Sequence, residues 1–265
     1  RRRKADIEEW KRVVKSALSV YKKTVRIGLI AKYLDNQDTY MSICEALKAA
    51  AWAAEVNIEI VWVDAEDLIK NPKERTNLKE LDGLVGMPGF GARGSEGKIL
   101  AAGWAYENKL PYLGICLGMQ MSLIAMARRA GLKKANSTEF EPDTPDPVIS
   151  TMAEQIGKEN TGGSMRLGDY TCVLERGTLA RKLYGQEQII ERHRHRYEAN
   201  NAYRDQFERW GIKASGLSPD GKLVEMIEAP DHPFYIGTQA HPEFRSRPNK
   251  PHPLYLGLLR AAAKK

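Results

Sequence analysis

Tyr112-Leu113-Gly114-Ile115-Cys116-Leu117-Gly118-Met119-Gln120 is the stretch on which the reading of this chain turns. A short apolar run ends at Ile115, and from Leu117 to Arg129 the apolar residues recur at helical spacing. A strand that passes into a helix through one residue makes a sharp corner, and the side chain on that corner stands above the sheet. Gly114 and Gly118 fit such a corner because side chains there have no room. Cys116 occupies the corner itself. Unpaired N–H groups and the dipole at a helix N-terminus favour a thiolate, and the N–H of Leu117 is free to bond a developing oxyanion. The plain alternative is a buried cysteine that behaves as a small hydrophobe. The corner alone leaves both open.

Outward from this point, strands and helices alternate. Val25–Ala31 reads as a buried strand, Asp38–Ala54 as an Ala-rich helix, Ile58–Val63 as a second strand and Leu84–Met87 as a short third. A helix is expected over Gly94–Asn108, and His252–Ala263 closes the chain as another. This alternation predicts an α/β fold with a central, mostly parallel sheet covered by helices on both faces. The second half changes character. Phe140–Pro147, with three prolines and three acidic residues, reads as an exposed loop, and Thr161-Gly162-Gly163 as another. Strands of mixed direction are expected at Tyr170–Leu174, Gln188–Glu191, Lys222–Ile227 and Tyr235–Gln239. Residues 1–23 are highly charged, with Ile7, Trp10, Val13, Val14, Ala17 and Leu18 at helical spacing, which predicts an amphipathic helix with Trp10 on its apolar side.

At 265 residues the chain can bury a sizeable core. No apolar run reaches the roughly 18 residues that span a bilayer, and no signal-peptide core follows Arg1-Arg2-Arg3-Lys4. The missing initiator Met points to a fragment or a processed chain. Cys44, Cys116 and Cys172 are too few and too scattered for a disulfide framework or a metal site, which fits a reducing, cytoplasmic setting. The 41 basic and 34 acidic residues leave a charge of +7. The basic residues are mostly dispersed and lack the aromatic-interleaved stripe of a nucleic-acid surface, so a small anion is the better ligand for them.

A cysteine nucleophile needs a base from elsewhere in the chain. His241 follows the strand Tyr235–Gln239 in Ala240-His241-Pro242-Glu243. Pro242 fixes the chain as it leaves the strand, and Glu243 can return to the imidazole and set its tautomer. In Arg192-His193-Arg194-His195-Arg196 the two histidines share one strand face and the arginines share the other. No third metal ligand lies near the histidine pair, and the arginine face suits a pocket or an anion. His232 and His252, each followed by proline, read as turn histidines. Pro88-Gly89-Phe90-Gly91 lies between a strand and a helix, where its backbone could supply a second oxyanion donor.

Gly114–Gln120 with His241-Pro242-Glu243 resembles the class I (triad) glutamine amidotransferases. Ala135–Phe140, Glu191–Glu198, His241–Phe244 and His252-Pro253-Leu254 narrow the resemblance to the glutaminase domains of CTP synthases, over about Val25–Ala263. It implies a flavodoxin-like core, a catalytic domain at 24–265, and an interdomain-linker remnant at 1–23. Cys116, His241 and Glu243 would form the triad, with Gly89 and Leu117 as oxyanion donors. The glutamine pocket would comprise Gly89, Leu117, Gly118, Met119, Gln120, Glu139, Arg196 and Tyr197. Glu139 would meet the α-ammonium and Arg196 the α-carboxylate. Arg93 would belong to a surface where GTP activates. This chain would need no cofactor of its own. ATP and Mg would serve a synthetase domain that is absent here, since no Gly-x-x-x-x-Gly-Lys-Ser/Thr loop occurs. The full-length protein would be a homotetramer. Pro88 departs from the family's Pro-Gly-Gly-Phe-Gly pattern. Proline lacks an N–H and cannot take a positive φ, so the setting of this loop becomes a question for the structure. Two further readings stay open: a γ-glutamyl peptide hydrolase, against which the Glu139 and Arg196 contexts stand, and a non-catalytic module, against which the intact triad stands.

Overall fold

Long apolar runs need neighbours on both faces, and the chain supplies them around one large sheet. The computed structural model describes residues 7–151 and 165–265. The strands are β1 (Thr24–Ala31), β2 (Asn57–Asp64), β3 (Gly83–Gly86), β4 (Tyr112–Ile115), β5 (Ala135–Ser137) and β6 (Asp146–Thr151). They continue with β7 (Arg166–Leu174), β8 (Gln188–His195), β9 (Tyr197–Ala199), β10 (Lys213–Leu217), β11 (Val224–Glu228) and β12 (Tyr235–Thr238). The helices are α1 (Glu8–Leu18), α2 (Met41–Ala54), α3 (Asp67–Lys70), α4 (Pro72–Asn77), α5 (Ser95–Glu107), α6 (Leu117–Arg129), α7 (Leu179–Tyr184) and α8 (Pro253–Ala262).

Nine strands form the main sheet in the order β2-β1-β3-β4-β12-β11-β10-β7-β8. The strands from β2 to β12 run parallel, and the rest are antiparallel. Every residue of β3, β4 and β12 is buried, as expected for parallel strands covered twice. Alternate residues point to two cores. Val25, Ile27, Leu29, Leu113 and Ile115 meet α2 and α8, whereas Ile30, Leu84 and Tyr112 meet α5 and α6.

The antiparallel half differs from expectation in extent. β7 and β8 are longer than the apolar cores of their sequences suggest, because β8 alternates buried and exposed residues through to His195. Lys213–Leu217 is an additional strand, paired to β11 through two register shifts. A second sheet, β5-β6-β9, was not foreseen. It takes in Asp146 and Pro147, and Thr144 is buried just before it, so only part of Phe140–Pro147 behaves as an exposed loop. Pro147 is the second residue of β6; it lies beside the register shift in the β5 pairing, and β9 pairs only from Ile149 onward, and strand starts and bulges tolerate proline. Thr161–Gly163 lies outside the described residues. The amphipathic helix exists as α1, but none of its residues is buried, and Trp10 is 50% exposed.

Candidate active site

Parallel register brings the site together. Gly86 pairs with Gly114 and Ile115 pairs with Thr238, so β3, β4 and β12 end level with one another. The residues leaving those ends are Pro88–Gly91, Cys116 and Ala240–Glu243. Sites at the carboxyl ends of parallel strands are the general rule for such sheets.

Cys116 continues the ladder by donating its N–H to the carbonyl of Thr238 at 2.8 Å. It then turns the chain with φ 52° and ψ −107°, an orientation rare for a residue with a side chain. The flanking glycines are enforced by contact. A Cβ on Gly118 would lie 2.0 Å from the carbonyl oxygen of Gly86, and one on Gly114 would lie 2.8 Å from the backbone of Gly118. The Cys116 sulfur is nearly buried, 3.8 Å from the carbonyl of Arg194 and 3.7 Å from Nε2 of Gln239. The N–H of Leu117, first in α6, meets no acceptor among the described residues.

His241 Nδ1 lies 2.7 Å from Oε1 of Glu243, and both residues are 7% exposed. Pro242 begins the short 3-10 turn that carries Glu243 back to the ring. A carboxylate at Nδ1 keeps the proton there and directs Nε2 outward. Nε2 is buried with no hydrogen-bond partner among the described residues. Burial alone would lower the His241 pKa, but the charge of Cys116 and the hydrogen-bonded carboxylate of Glu243 outweigh it and raise it to about 10. The imidazole is therefore held protonated at neutral pH beside the sulfur.

The Arg-His stretch is the scaffold of this arrangement. His193 and His195 face inward and Arg192 and Arg194 outward, as alternation predicts. Arg166 joins Glu198 at 3.1 Å and Glu225 at 2.8 Å, and His195 Nε2 lies 2.7 Å from Glu198. Burial, with neighbouring His195, Arg166 and His241, pushes the His193 pKa far down. β8, fastened this way, presents the Arg192 carbonyl to the N–H of His241 at 2.7 Å and the Arg194 carbonyl to Cys116. Among the described residues no group of three or more His, Cys, Asp and Glu could hold a metal ion. His252 accepts from Leu254 N at the start of α8 and lies 2.9 Å from Glu191, and His232 reaches the Ala105 carbonyl at 3.2 Å.

The remaining sequence candidates lie close by in different settings. Gln120 donates to the Tyr197 carbonyl at 2.8 Å and to Gln239 at 3.1 Å. Met119 packs in the core, against the position a Cβ of Gly237 would take. Glu139 accepts from the N–H of Gly91 at 2.6 Å. Burial raises its carboxyl pKa, and the Gly91 N–H, Lys32 and Arg196 pull it back. Arg196 is half-buried between β8 and β9. Arg93 donates to Glu66 at 3.0 Å and to the Lys32 carbonyl at 2.5 Å, with its guanidinium over the Tyr33 ring. A cavity of about 240 Å³ opens beside Cys116, lined by Tyr33, Tyr40, Gly89, Phe90, Arg194 and Phe244 among others. Glu139 and Arg196 do not line it.

Sequence reading passed over Lys32 and Lys98, whose ammonium groups grip the loop after β3. Each carried a signal. Lys32 is a charged residue directly after a buried parallel strand, at the ligand end of the sheet. Lys98 places a cation in the first turn of a helix, where the dipole opposes it.

A strained nucleophile corner and a His–Glu pair at the ends of adjacent parallel strands are the marks of a class I glutamine amidotransferase. The model of that family, "Glutamine amidotransferase class-I", matches residues 36–261, and the chain belongs to the family. The CTP synthase of Rubrobacter xylanophilus is 52% identical over 258 residues, covering 97% of this chain and 46% of that protein. The CTP synthase of Methanothermobacter thermautotrophicus is 49% identical over 258 residues, covering 97% and 48%. The chain thus spans about half the length of these curated relatives. The solved glutaminase domain of Trypanosoma brucei CTPS, with bound acivicin, superposes with a TM-score of 0.86 at 36% identity over 91% of this chain and 94% of that one. Within its family, the chain is a CTP synthase-type glutaminase domain.

Proposed function

We propose that this chain hydrolyses the side-chain amide of glutamine at Cys116. The observation that carries the reading is the buried, unpartnered Nε2 of His241 beside a cysteine on a positive-φ corner, with Glu243 on the other ring nitrogen. The sulfur attacks the γ-amide carbon, and the carbonyl oxygen becomes an oxyanion bonded by the N–H groups of Leu117 and Gly89. The His241 imidazolium gives its Nε2 proton to the departing nitrogen, which leaves as ammonia. A γ-glutamyl thioester remains. Neutral His241 then takes a proton from water, the hydroxide adds to the thioester carbon, and the sulfur departs to leave glutamate. Glu139 and Arg196 recognise the α-ammonium and α-carboxylate, a pairing suited to a free amino acid. Gly118, Met119, Gln120 and Tyr197 shape the pocket from α6 and β9.

The ammonia serves a synthetase domain of the same polypeptide, which aminates UTP to CTP with ATP and Mg in a cytoplasmic homotetramer. Residues 1–23 belong to the linker to that domain, and GTP activates at a surface that includes Arg93. These proposals rest on the kinship with CTP synthases. A glutamine analogue with an electrophile at the γ position, such as 6-diazo-5-oxo-L-norleucine, tests the chemistry. Mass spectrometry should find the label on Cys116. No label, or a label only on Cys44 or Cys172, overturns the mechanism.

A further inference from the structure

The loop after β3 is held by its carbonyl groups. Lys98, the fourth residue of α5, is 1% exposed, and its ammonium donates to the carbonyls of Met87 at 2.5 Å and Pro88 at 3.3 Å. Lys32 donates to the carbonyls of Phe90 and Gly91. Among the described residues, lysines donate to the carbonyls of Met87, Pro88, Phe90 and Gly91, and none donates to that of Gly89. Proline has no N–H, so at residue 88 the carbonyl is the one backbone handle available.

The Pro88 carbonyl and the Gly89 N–H belong to one planar trans peptide unit and point in opposite directions. Whatever fastens one aims the other. Gly89 has φ 156°, and glycine lets a neighbouring peptide rotate at little cost. A freed unit could turn its carbonyl, an acceptor, to where an oxyanion needs a donor.

We propose that Lys98 is a positioning residue for the oxyanion site, holding the Pro88 carbonyl so that the Gly89 N–H stays turned toward Cys116. The proposal rests on the glutaminase reading above. Its setting supports a specific role. Burial, and next the charge of Lys32, lower the Lys98 pKa to about 7 against the opposing influence of Cys116. A cation that is buried, repelled by a neighbour and opposed by its own helix dipole is costly to keep, and an apolar side chain of like volume would pack there at less cost.

The test compares two reactions of Cys116 in this chain. Glutamine hydrolysis passes through an oxyanion; alkylation by iodoacetamide is a direct displacement and does not. Lys98→Met should lower kcat by about 10²- to 10³-fold, the effect of losing one oxyanion donor. KM, and the alkylation rate at a pH high enough to ionise Cys116 in both proteins, should stay within about threefold of wild type. A kcat within that threefold range overturns the proposal, as does alkylation slowed in parallel with hydrolysis. Lys98→Gln keeps an N–H donor and should recover part of the lost kcat; a Gln variant no better than Met also overturns it. If Lys98→Met does not fold, Lys98→Gln against wild type is judged by the same two rates. Wild-type chain that alkylates at Cys116 yet never turns over glutamine sinks the glutaminase reading itself, and this proposal with it.

Discussion

Adding one methyl group to Gly118 should disturb both stability and catalysis, by amounts that follow from its surroundings. A Cβ there would lie 2.0 Å from the Gly86 oxygen and 2.6 Å from the Gly86 carbonyl carbon. Carbon and oxygen in ordinary close contact stand about 3.3 Å apart. α6 and β3 must therefore separate by roughly 1 Å, and both are backbone held in a full ladder or helix. Overpacking of this kind costs about 1–3 kcal/mol. For a chain this size each kcal/mol moves Tm by about 2–4 °C, so Gly118→Ala should melt roughly 2–12 °C lower. The two proposed oxyanion donors sit on the same two elements, Leu117 on α6 and Gly89 after β3. A shift of about 1 Å between them should slow hydrolysis by about 10²-fold. Gly103→Ala is the control: it also adds a methyl to a helical glycine, but the nearest atom is Cβ of Ala125 at 3.8 Å. That change should stabilise by roughly 0.4–1 kcal/mol. Scanning calorimetry and the rate of glutamate release measure both variants. A Gly118→Ala protein that melts with wild type, or shifts in the same direction as Gly103→Ala, would refute the argument that contact with β3 fixes this glycine.

Other perturbations have equally defined outcomes. The folded pKa of His241, about 10, stands above its unfolded value near 6.5; its contribution to stability is complete below pH 6.5 and is lost as the pH rises toward 10. Because Cys116 is the largest influence raising it, Cys116→Ala should bring the His241 titration down, and NMR of the imidazole should find it well below that of wild type. Arg196→Ala should raise KM for glutamine by about 10- to 100-fold, the worth of a charge-assisted hydrogen bond, with kcat changed far less; an unchanged KM would assign the carboxylate to another residue. Arg166→Leu strands Glu198 and Glu225 in the interior and should cost about 3–5 kcal/mol in urea unfolding. A near-neutral result would show that those carboxyls protonate without penalty.

The core and the grouping of Cys116, His241 and Glu243 were legible in the sequence because local pattern and long-range structure agree there. β3 and β4 hold only apolar residues and glycine, and β1 and β12 depart from that only at Thr24, Arg26 and Thr238, and a strand buried on both faces can be little else. Cys116 and His241 announced themselves through residues with strict backbone demands, Gly114, Gly118 and Pro242. The small sheet was hidden because β5 and β9 are only three residues each and owe their pairing to distant partners. β10 was hidden because Gly216 and polar neighbours give no alternation, and its register shifts twice. The lysines were missed for another reason: a lone lysine looks like solvent-facing charge until its surroundings bury it. The inward face of His193 and His195 was readable from period two, but not their partner Arg166, which comes from the neighbouring strand.

The backbone of Cys116 has a consequence for how such a protein can change over generations. A side chain held at φ 52° and ψ −107° costs on the order of 1–3 kcal/mol that glycine would not. Cys116→Gly should therefore fold more stably than wild type while losing the proposed nucleophile. Under selection for folding alone the position drifts to glycine, so a lineage that keeps cysteine there bears a standing cost, and a stability screen run without an activity readout would discard the proposed nucleophile.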